Sequence, residues 1–242
     1  MGREEEMSEN EKQALERYFP NAVPVGSFFD RVNDAVSRLS YSRSQVKPAT
    51  MMCRDDSVTG IILKLKENGY MDAFNMETLS GMPVFGMTGY NAFYHHIPDK
   101  GIGMIIFAPH LGLSERGIWG ELERPGIAEM GKSCGANFAI LGKWAGDEQF
   151  SNDPELKMVA DELLPYKRQI TNAKEPIVEI AEVEYKIGLD RLVSDIINLQ
   201  KREQHMHKVM IVSGIHIDRK NSNYFDLREI GIVENSEYRL LH

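Results

Sequence analysis

The sequence predicts an α/β fold in which a central, mainly parallel sheet is flanked by helices. Three short apolar runs, at residues 48–53, 103–108 and 208–215, have the length and composition of buried strands. Segments with apolar residues at helical spacing alternate with these runs along the chain. Such alternation favours a parallel sheet covered on both faces. Ligands of these sheets collect beyond the carboxyl ends of the strands, which is where a site is expected.

Two helices are predicted before the first strand. A short helix is expected over residues 11–18, because Pro20 follows it and cannot continue it. Residues 25–39 are predicted to form an amphipathic helix that packs on the core. Its apolar stripe consists of Phe28, Phe29, Val32, Val36 and Leu39.

The strand at 48–53 ends at a cysteine and leads into another helix. Ser57 is a candidate cap for this helix, and Gly69 is placed to end it. The connecting loop between the strand and the helix therefore carries four chemically interesting residues, namely Cys53, Arg54, Asp55 and Asp56.

The remaining two thirds of the chain continue the alternation of strands and helices. The predicted order is an irregular or partly helical segment at 75–101, a strand at 103–108, a Gly/Arg/Glu-rich loop with a short helix within 114–133, a strand at 136–142, a helix at 155–166, one long helix or two at 178–202, a strand at 208–215, and an edge strand or hairpin at 224–242.

Length and charge favour one large domain with a full core. The chain has 242 residues and a net charge of −8. Residues 1–12 are charged and are expected to be a flexible acidic N-terminus, and residues 13–242 to be a single α/β domain.

No Lys/Arg cluster has the form of a nucleic-acid-binding stripe. No apolar run is long enough to predict a membrane span, so neither nucleic acid nor membrane is an expected partner.

The chain contains two cysteines, Cys53 and Cys134. Two cysteines do not form a disulfide framework, so a reducing compartment is expected. A pair of buried, inert thiols is the simplest interpretation. However, Cys53 and His110 both follow predicted strands, at the edge where such sheets bind ligands, and this placement favours a functional interpretation.

Cys53, His110 and Cys134 make a plausible zinc ligand set. Two thiolates neutralise the 2+ charge, and one imidazole leaves the fourth tetrahedral position for water. An open position is typical of catalytic rather than structural zinc. Zinc can lower the pKa of bound water to about 7. Residues 13–242 are therefore interpreted as a zinc-binding domain with hydrolase or hydratase chemistry.

Asp55 has two possible roles beside this metal. Residues i and i+2 of an extended segment face the same side, so the Asp55 carboxylate can lie over a metal held by Cys53. It can accept a hydrogen bond from zinc-bound hydroxide, or it can bind the metal itself and close the site. An arginine paired with Asp55 would hold the carboxylate off the metal.

These motifs resemble a known family. Cys53-Arg54-Asp55, His110 within Ala-Pro-His-Leu-Gly, and Cys134 within Ser-Cys-Gly-Ala are similar to the limiting-CO2-inducible protein B family. That family is related to the β-carbonic anhydrases and is sometimes called the theta class. The resemblance covers most of residues 25–220 and is densest between 48 and 142.

The resemblance implies a β-carbonic-anhydrase-like α/β fold, a homodimer, and one zinc ion per subunit held by Cys53, His110 and Cys134. It also implies reversible hydration of CO2 to bicarbonate by zinc-bound hydroxide, with Asp55 as the carboxylate of an Asp/Arg dyad. The expected small-molecule partners are thus CO2 and bicarbonate. The expected location is the cytoplasm, or the plastid stroma for a processed algal chain.

The chain departs from the ordinary β-class pattern in two ways. The pattern Cys-x-Asp-x-Arg has Ser57 in the arginine position here, and His110 and Cys134 are 134 − 110 = 24 residues apart rather than three. The larger spacing suits the limiting-CO2 family, but the dyad arginine is left without an obvious position. Arg54 is the preferred candidate. The other arginines considered are Arg31, Arg38, Arg43 and Arg116.

Aromatic residues and histidines of the segment 75–101 are candidates for secondary roles. His95 or His96 could carry the product proton to solvent, since histidine titrates near neutral pH. An apolar pocket for CO2 could be lined by Phe85, Tyr90, Phe93, Tyr94 and Leu111.

Two other functions are compatible with the same residues. One is a catalytically silent zinc-binding homologue, closed by Asp55, that acts as a bicarbonate sensor or partner subunit. The other is a cysteine-nucleophile enzyme that uses Cys53 with His110 and no metal.

Overall fold

A computed structural model describes residues 7–241, apart from 56–57, 85, 125, 147, 151, 204–206 and 221. Asp56, Ser57 and Phe85, which have predicted roles, are not among the described residues.

The strands are β1 (Val23–Pro24), β2 (Val46–Met52), β3 (Phe74–Asn75), β4 (Ile102–Ala108), β5 (His110–Gly112), β6 (Glu121–Leu122), β7 (Gly131–Lys132), β8 (Val209–Asp218), β9 (Tyr224–Glu234) and β10 (Glu237–Leu240). The α-helices are α1 (Glu9–Tyr18), α2 (Val25–Arg38), α3 (Thr59–Glu67), α4 (Met87–Tyr94), α5 (Gly135–Ala145), α6 (Pro154–Leu163), α7 (Lys167–Asn172) and α8 (Pro176–Arg202).

The main sheet confirms the predicted α/β class. Its strand order is β1-β9-β8-β4-β2-β3, with β5 paired to β8 and β10 paired to β9. The central strands β2, β4 and β8 are parallel, whereas β9 runs antiparallel to β8. Every residue of β4 and β8 is buried. Continuous burial explains why these strands are uniformly apolar rather than alternating in sequence.

Helices cover both faces of the sheet. On one face, α2 and α3 bury the predicted stripe of α2 against β2, β4, β8 and β9. There the Phe28 ring stacks on Phe225 at 4.0 Å between centroids. On the other face lie α4, α5, α6 and α8, which form two further apolar clusters with the sheet. The long predicted helix at 178–202 is one continuous element, α8, with Pro176 in its first turn.

The segment 136–142 is helical, so the strand predicted there is wrong. It lies in α5, with Cys134 as the N-cap residue. The sequence Ala-Asn-Phe-Ala-Ile-Leu-Gly is apolar on nearly every side, and a short apolar run does not distinguish a strand from a buried helix. The region 114–133 contains the two-stranded ribbon of β6 and β7, and its described residues form no α-helix.

The N-terminal helix belongs to the folded domain from residue 9 onward. Ser8 caps α1 through a capping box with Glu11. The buried carboxylate of Glu11 also accepts a 2.7 Å hydrogen bond from Arg219. Residues 9–12, which the sequence assigns to a flexible terminus over 1–12, lie in this helix, and residues 1–6 lie outside the described part of the chain.

The described helices contain no segment that combines the length and apolarity of a membrane span. Even α8, the longest at 27 residues, carries charged side chains throughout its length.

Phe28 tests the packing of α2 on the sheet. Replacing Phe28, which is fully buried, by alanine should lower the free energy of unfolding by about 3–5 kcal/mol because it leaves a cavity against Phe225. Leu63→Ala on α3, where the side chain is 57% exposed, should cost less than about 0.5 kcal/mol. Urea denaturation followed by circular dichroism measures both. Equal losses would contradict this assignment of the core.

Candidate metal centre

Three distant segments bring Cys53, His110 and Cys134 together beyond the ends of β2 and β4. Cys53 directly follows β2, His110 begins β5, and Cys134 precedes α5. One ligand atom from each lies within 4.8 Å of the others, and the two sulfur atoms are 3.7 Å apart. All three side chains are buried. The predicted ligand set is therefore brought together at the predicted edge of the sheet.

His110 begins β5, which continues the line of β4 after Pro109. Both strands pair with β8 in one register, with Phe107 opposite Ser213 and His110 opposite His216. Proline has no N–H group to donate to a sheet, but the Pro109 carbonyl accepts a 2.9 Å hydrogen bond from the His216 backbone N–H. His110 therefore stands at the carboxyl end of the parallel strands.

Cys134 reaches His110 because Gly112 allows two backbone segments to come close together. A Cβ atom on Gly112 would lie 2.7 Å from the Glu121 carbonyl oxygen and 3.1 Å from the Ser133 side chain. Its N–H donates to the Ser133 carbonyl at 3.2 Å. The residue before Cys134 is thus joined directly to the strand that begins with His110.

Cys53 is held by the turn at Leu79–Gly81, which packs on the end of β2. Cys53 forms a parallel bridge with Thr78, just before this turn. Gly81 has a φ of +82°, and a Cβ atom there would lie 3.1 Å from the Met52 backbone. A left-handed conformation and a close approach are both required, which favours glycine.

His110 is oriented by a buried carboxylate. Its Nδ1 lies 2.5 Å from Asp218 Oδ2, and the Ser133 hydroxyl donates to the same oxygen at 2.7 Å. Asp218 also lies 3.1 Å from His216 Nδ1. The contact with Asp218 leaves His110 Nε2 for a metal, as in other carboxylate–histidine–metal arrangements. This Nε2 is buried and makes no hydrogen bond within the described residues.

The three ligands share charge in the metal-free protein. A hydrogen bond from the Cys134 thiol and the charge of His110 lower the pKa of Cys53 to about 4, despite burial. The hydrogen bond to Cys53 and burial raise the pKa of Cys134. Burial lowers the pKa of His110, but the charge and hydrogen bond of Asp218 outweigh it and raise that pKa well above its usual range. The cluster therefore holds one thiolate beside an imidazolium.

This donor set fits zinc. Two sulfurs and one imidazole nitrogen are ordinary zinc ligands and leave one tetrahedral position open. Cys134 and His110 must each lose a proton when a metal binds, so binding is coupled to proton release.

Asp55 is not one of the clustered ligands. Arg124 Nη2 contacts both of its carboxylate oxygens, at 3.0 and 3.1 Å. The Asp55 side chain is 13% exposed, and Arg124 comes from the loop after β6. The predicted Asp/Arg pair is therefore present in the structure, with Asp55 as its carboxylate.

The choice of Arg54 as the partner of Asp55 is wrong. Arg54 points to solvent and pairs with Glu155 at 2.6 Å. Arg116 pairs with Glu121 instead. Arg124 lies in the Gly/Arg/Glu-rich loop, from which only Arg116 was considered. Spacing in the sequence gives no indication of which arginine of a loop folds back onto a distant carboxylate.

Four of the five predicted pocket residues lie within the described part of the chain, and all four are buried in apolar clusters. Tyr90, Phe93 and Tyr94 are buried in the apolar cluster under α4, and Leu111 is buried under α8. Phe93 contacts the start of β4, at Gly103. His110 is seven residues further on, a distance on the order of 20 Å in an extended chain. His95 and His96, at the end of α4, therefore lie toward the opposite edge of the sheet.

Sequence reasoning also missed Glu184. It is fully buried on α8, and its carboxylate accepts a 2.9 Å hydrogen bond from Asn137. The sequence does contain an indication of its burial, because Glu184 occupies a position on the otherwise apolar face of α8. The buried residues at helical spacing before it are Ile177, Ile180 and Ala181.

Asp218 tests how the histidine ligand is supported. Asp218→Asn should weaken zinc binding about 10–100-fold, because an amide no longer holds the proton on His110 Nδ1. Competition with a chromogenic chelator measures the affinity. Asp161→Asn, at a carboxylate that is 57% exposed, is the matched control and should leave the affinity unchanged. Equal affinities in the two variants would show that Asp218 does not support the ligand.

Comparisons with known proteins identify the family and support the fold. The family model for limiting CO2-inducible proteins B/C beta carbonic anhydrases matches residues 22–234. The crystal structure of PtLCIB4, a homolog of the limiting CO2-inducible protein LCIB, is 24% identical with a TM-score of 0.83, covering 96% of this chain and 98% of that one. The crystal structure of LCIB itself is 19% identical with a TM-score of 0.71, covering 94% and 97%. A search of curated proteins finds no significant match. Since the family model covers most of the chain, the protein belongs to the limiting CO2-inducible protein B/C beta carbonic anhydrase family.

Proposed function

We propose that the protein is a zinc-dependent carbonic anhydrase that interconverts CO2 and bicarbonate. The observation that carries the proposal is the geometry of the centre: three clustered ligands, with the nearby Asp55 carboxylate held by Arg124 rather than placed among them. Three ligands leave a position for reaction, whereas a fourth would close it.

Each residue has a distinct part in this proposal. Cys53, His110 and Cys134 would hold the ion, and Asp218 keeps the His110 ring in the binding orientation. A zinc ion supplies a nucleophilic oxygen near neutral pH by lowering the pKa of water. Asp55 would accept a hydrogen bond from that oxygen. Hydration of CO2 yields bicarbonate and one proton, which must reach solvent.

Two alternatives use the same residues. The near-complete burial of all three ligands favours a silent zinc-binding homologue, because it restricts access to the centre. A thiolate beside an imidazolium is also typical of a cysteine nucleophile. Against the nucleophile, Cys53 is only 5% exposed and has a second thiol 3.7 Å away, an arrangement that suits a metal.

The proposal extends to assembly and location, where it rests on the family alone. We expect a homodimer, in the cytoplasm or in the plastid stroma of an alga.

Stopped-flow CO2 hydration on protein of measured zinc content tests the function. We expect hydration that scales with zinc content at pH 7 and pH 9 and is lost in Cys134→Ser. One bound zinc with no hydration at either pH would favour the silent homologue. Activity in zinc-free protein would favour the cysteine nucleophile.

Two arginine variants test the Asp55 partner. Arg124→Ala should lower kcat/KM for hydration by about 100-fold, because Asp55 loses the contact that fixes its position. Arg54→Ala removes a surface ion pair with Glu155 and should change kcat/KM less than twofold. The opposite ranking would restore Arg54 as the catalytic arginine.

A further inference from the structure

Glu184 is a buried acid beside the metal-binding cluster that the proposed mechanism does not use. It lies on α8, and Asn137 Nδ2 donates a 2.9 Å hydrogen bond to its Oε2. Both side chains are buried. Asn137 occupies the first turn of α5, one turn after Cys134. Asn137 also lowers the pKa of Cys134 through its backbone N–H group. Glu184 is therefore joined, through Asn137, to the helical turn that follows a metal ligand.

The surroundings of Glu184 favour an uncharged carboxyl group. Apart from Asn137, the groups of the described chain that act on it most strongly are the Ser80 hydroxyl, Cys53 and His110. Cys134 is a fourth ionisable neighbour. His110 is the one cation among these groups, and its charge is offset by Asp218, 2.5 Å from its Nδ1, and by Cys53. A buried carboxylate without a cation of its own is strongly disfavoured.

Two buried oxygen atoms without hydrogen-bond partners also favour an uncharged carboxyl group on Glu184. Among the described residues, Glu184 Oε1 and Asn137 Oδ1 are both buried without a partner. Both atoms are acceptors when the carboxyl is ionised, so neither can satisfy the other. One proton on Glu184 supplies a donor, and the acid and the amide can then pair through two hydrogen bonds. Buried polar groups are nearly always paired, which favours the protonated form.

We propose that Glu184 is a neutral carboxylic acid paired with Asn137, and that this pair is a positioning element for the metal ligand Cys134. The neutral acid fixes the first turn of α5 without adding a third negative charge beside two thiolate ligands. Burial also raises the pKa of Glu184 to about 8, although the Asn137 amide and the nearby Ser80 hydroxyl oppose this, so the neutral form persists at neutral pH. The proposal rests on the proposed metal site but not on turnover.

Infrared spectroscopy and zinc affinity together test this proposal. At pH 6.5 the metal-free wild type should show the C=O band of a protonated carboxyl group, and the band should be absent in Glu184→Gln. Glu148→Gln is the matched control, since Glu148 is 65% exposed, and it should keep the band. Absence of the band in the wild type would overturn the proposal.

Zinc affinity, measured by chelator competition, tests the positioning role. Glutamine mimics the neutral acid as both donor and acceptor, so Glu184→Gln should bind zinc within twofold of the wild type. Glu184→Ala should bind about tenfold more weakly, as other losses of support for metal ligands do. Glu184→Gln binding as weakly as the alanine variant would overturn the proposal. Circular dichroism shows whether Glu184→Ala folds. If it does not, the zinc affinity of Glu184→Gln and the infrared band still test the proposal.

The outcomes separate this proposal from the proposed function. Zinc binding without CO2 hydration would overturn the anhydrase and leave the Glu184 results standing. A wild-type protein that binds no zinc would overturn both.

Discussion

The close approach of two backbone segments at Gly112 is the constraint on which the centre depends. Cys53 and His110 follow neighbouring strands, so the parallel sheet alone brings them to one edge. The sheet does not position Cys134 in this way, because Cys134 comes from a loop that leads into a helix. The contact between Gly112 and Ser133, which leaves no room for a side chain at Gly112, holds the segment of the third ligand against the strand of the second.

One of the ligands and the nearby carboxylate are each held by a polar side chain from a distant segment. Asp218, from the end of β8, orients His110. Arg124, from the loop after β6, holds Asp55. These hydrogen bonds restrict the side-chain rotation of His110 and Asp55. A preorganised site loses less entropy when a metal or substrate binds.

The sequence was sufficient to predict the parts of the fold that depend on local periodicity. The buried strands β2, β4 and β8, the amphipathic helix α2, and the three ligand residues were all recognisable. Residues 136–142 were not, because an apolar run carries no period that separates strand from buried helix. Arg124 and Glu184 act through contacts between segments far apart in the chain. Such contacts depend on tertiary packing, which cannot be inferred from residue spacing in a single sequence. Glu184 could still have been noticed, because it is a charged residue on the apolar face of α8.

The hydrogen bond between His110 and Asp218 joins residues 108 positions apart, and β8 lies between β4 and β9 in the sheet. During synthesis, Cys53, His110 and Cys134 leave the ribosome well before the strand that completes their surroundings. Parallel pairing of distant segments is slow to form. The carboxylate that orients His110 is therefore in place only after β8 has been synthesised and paired. Until then the nascent polypeptide carries two thiols that the finished domain buries.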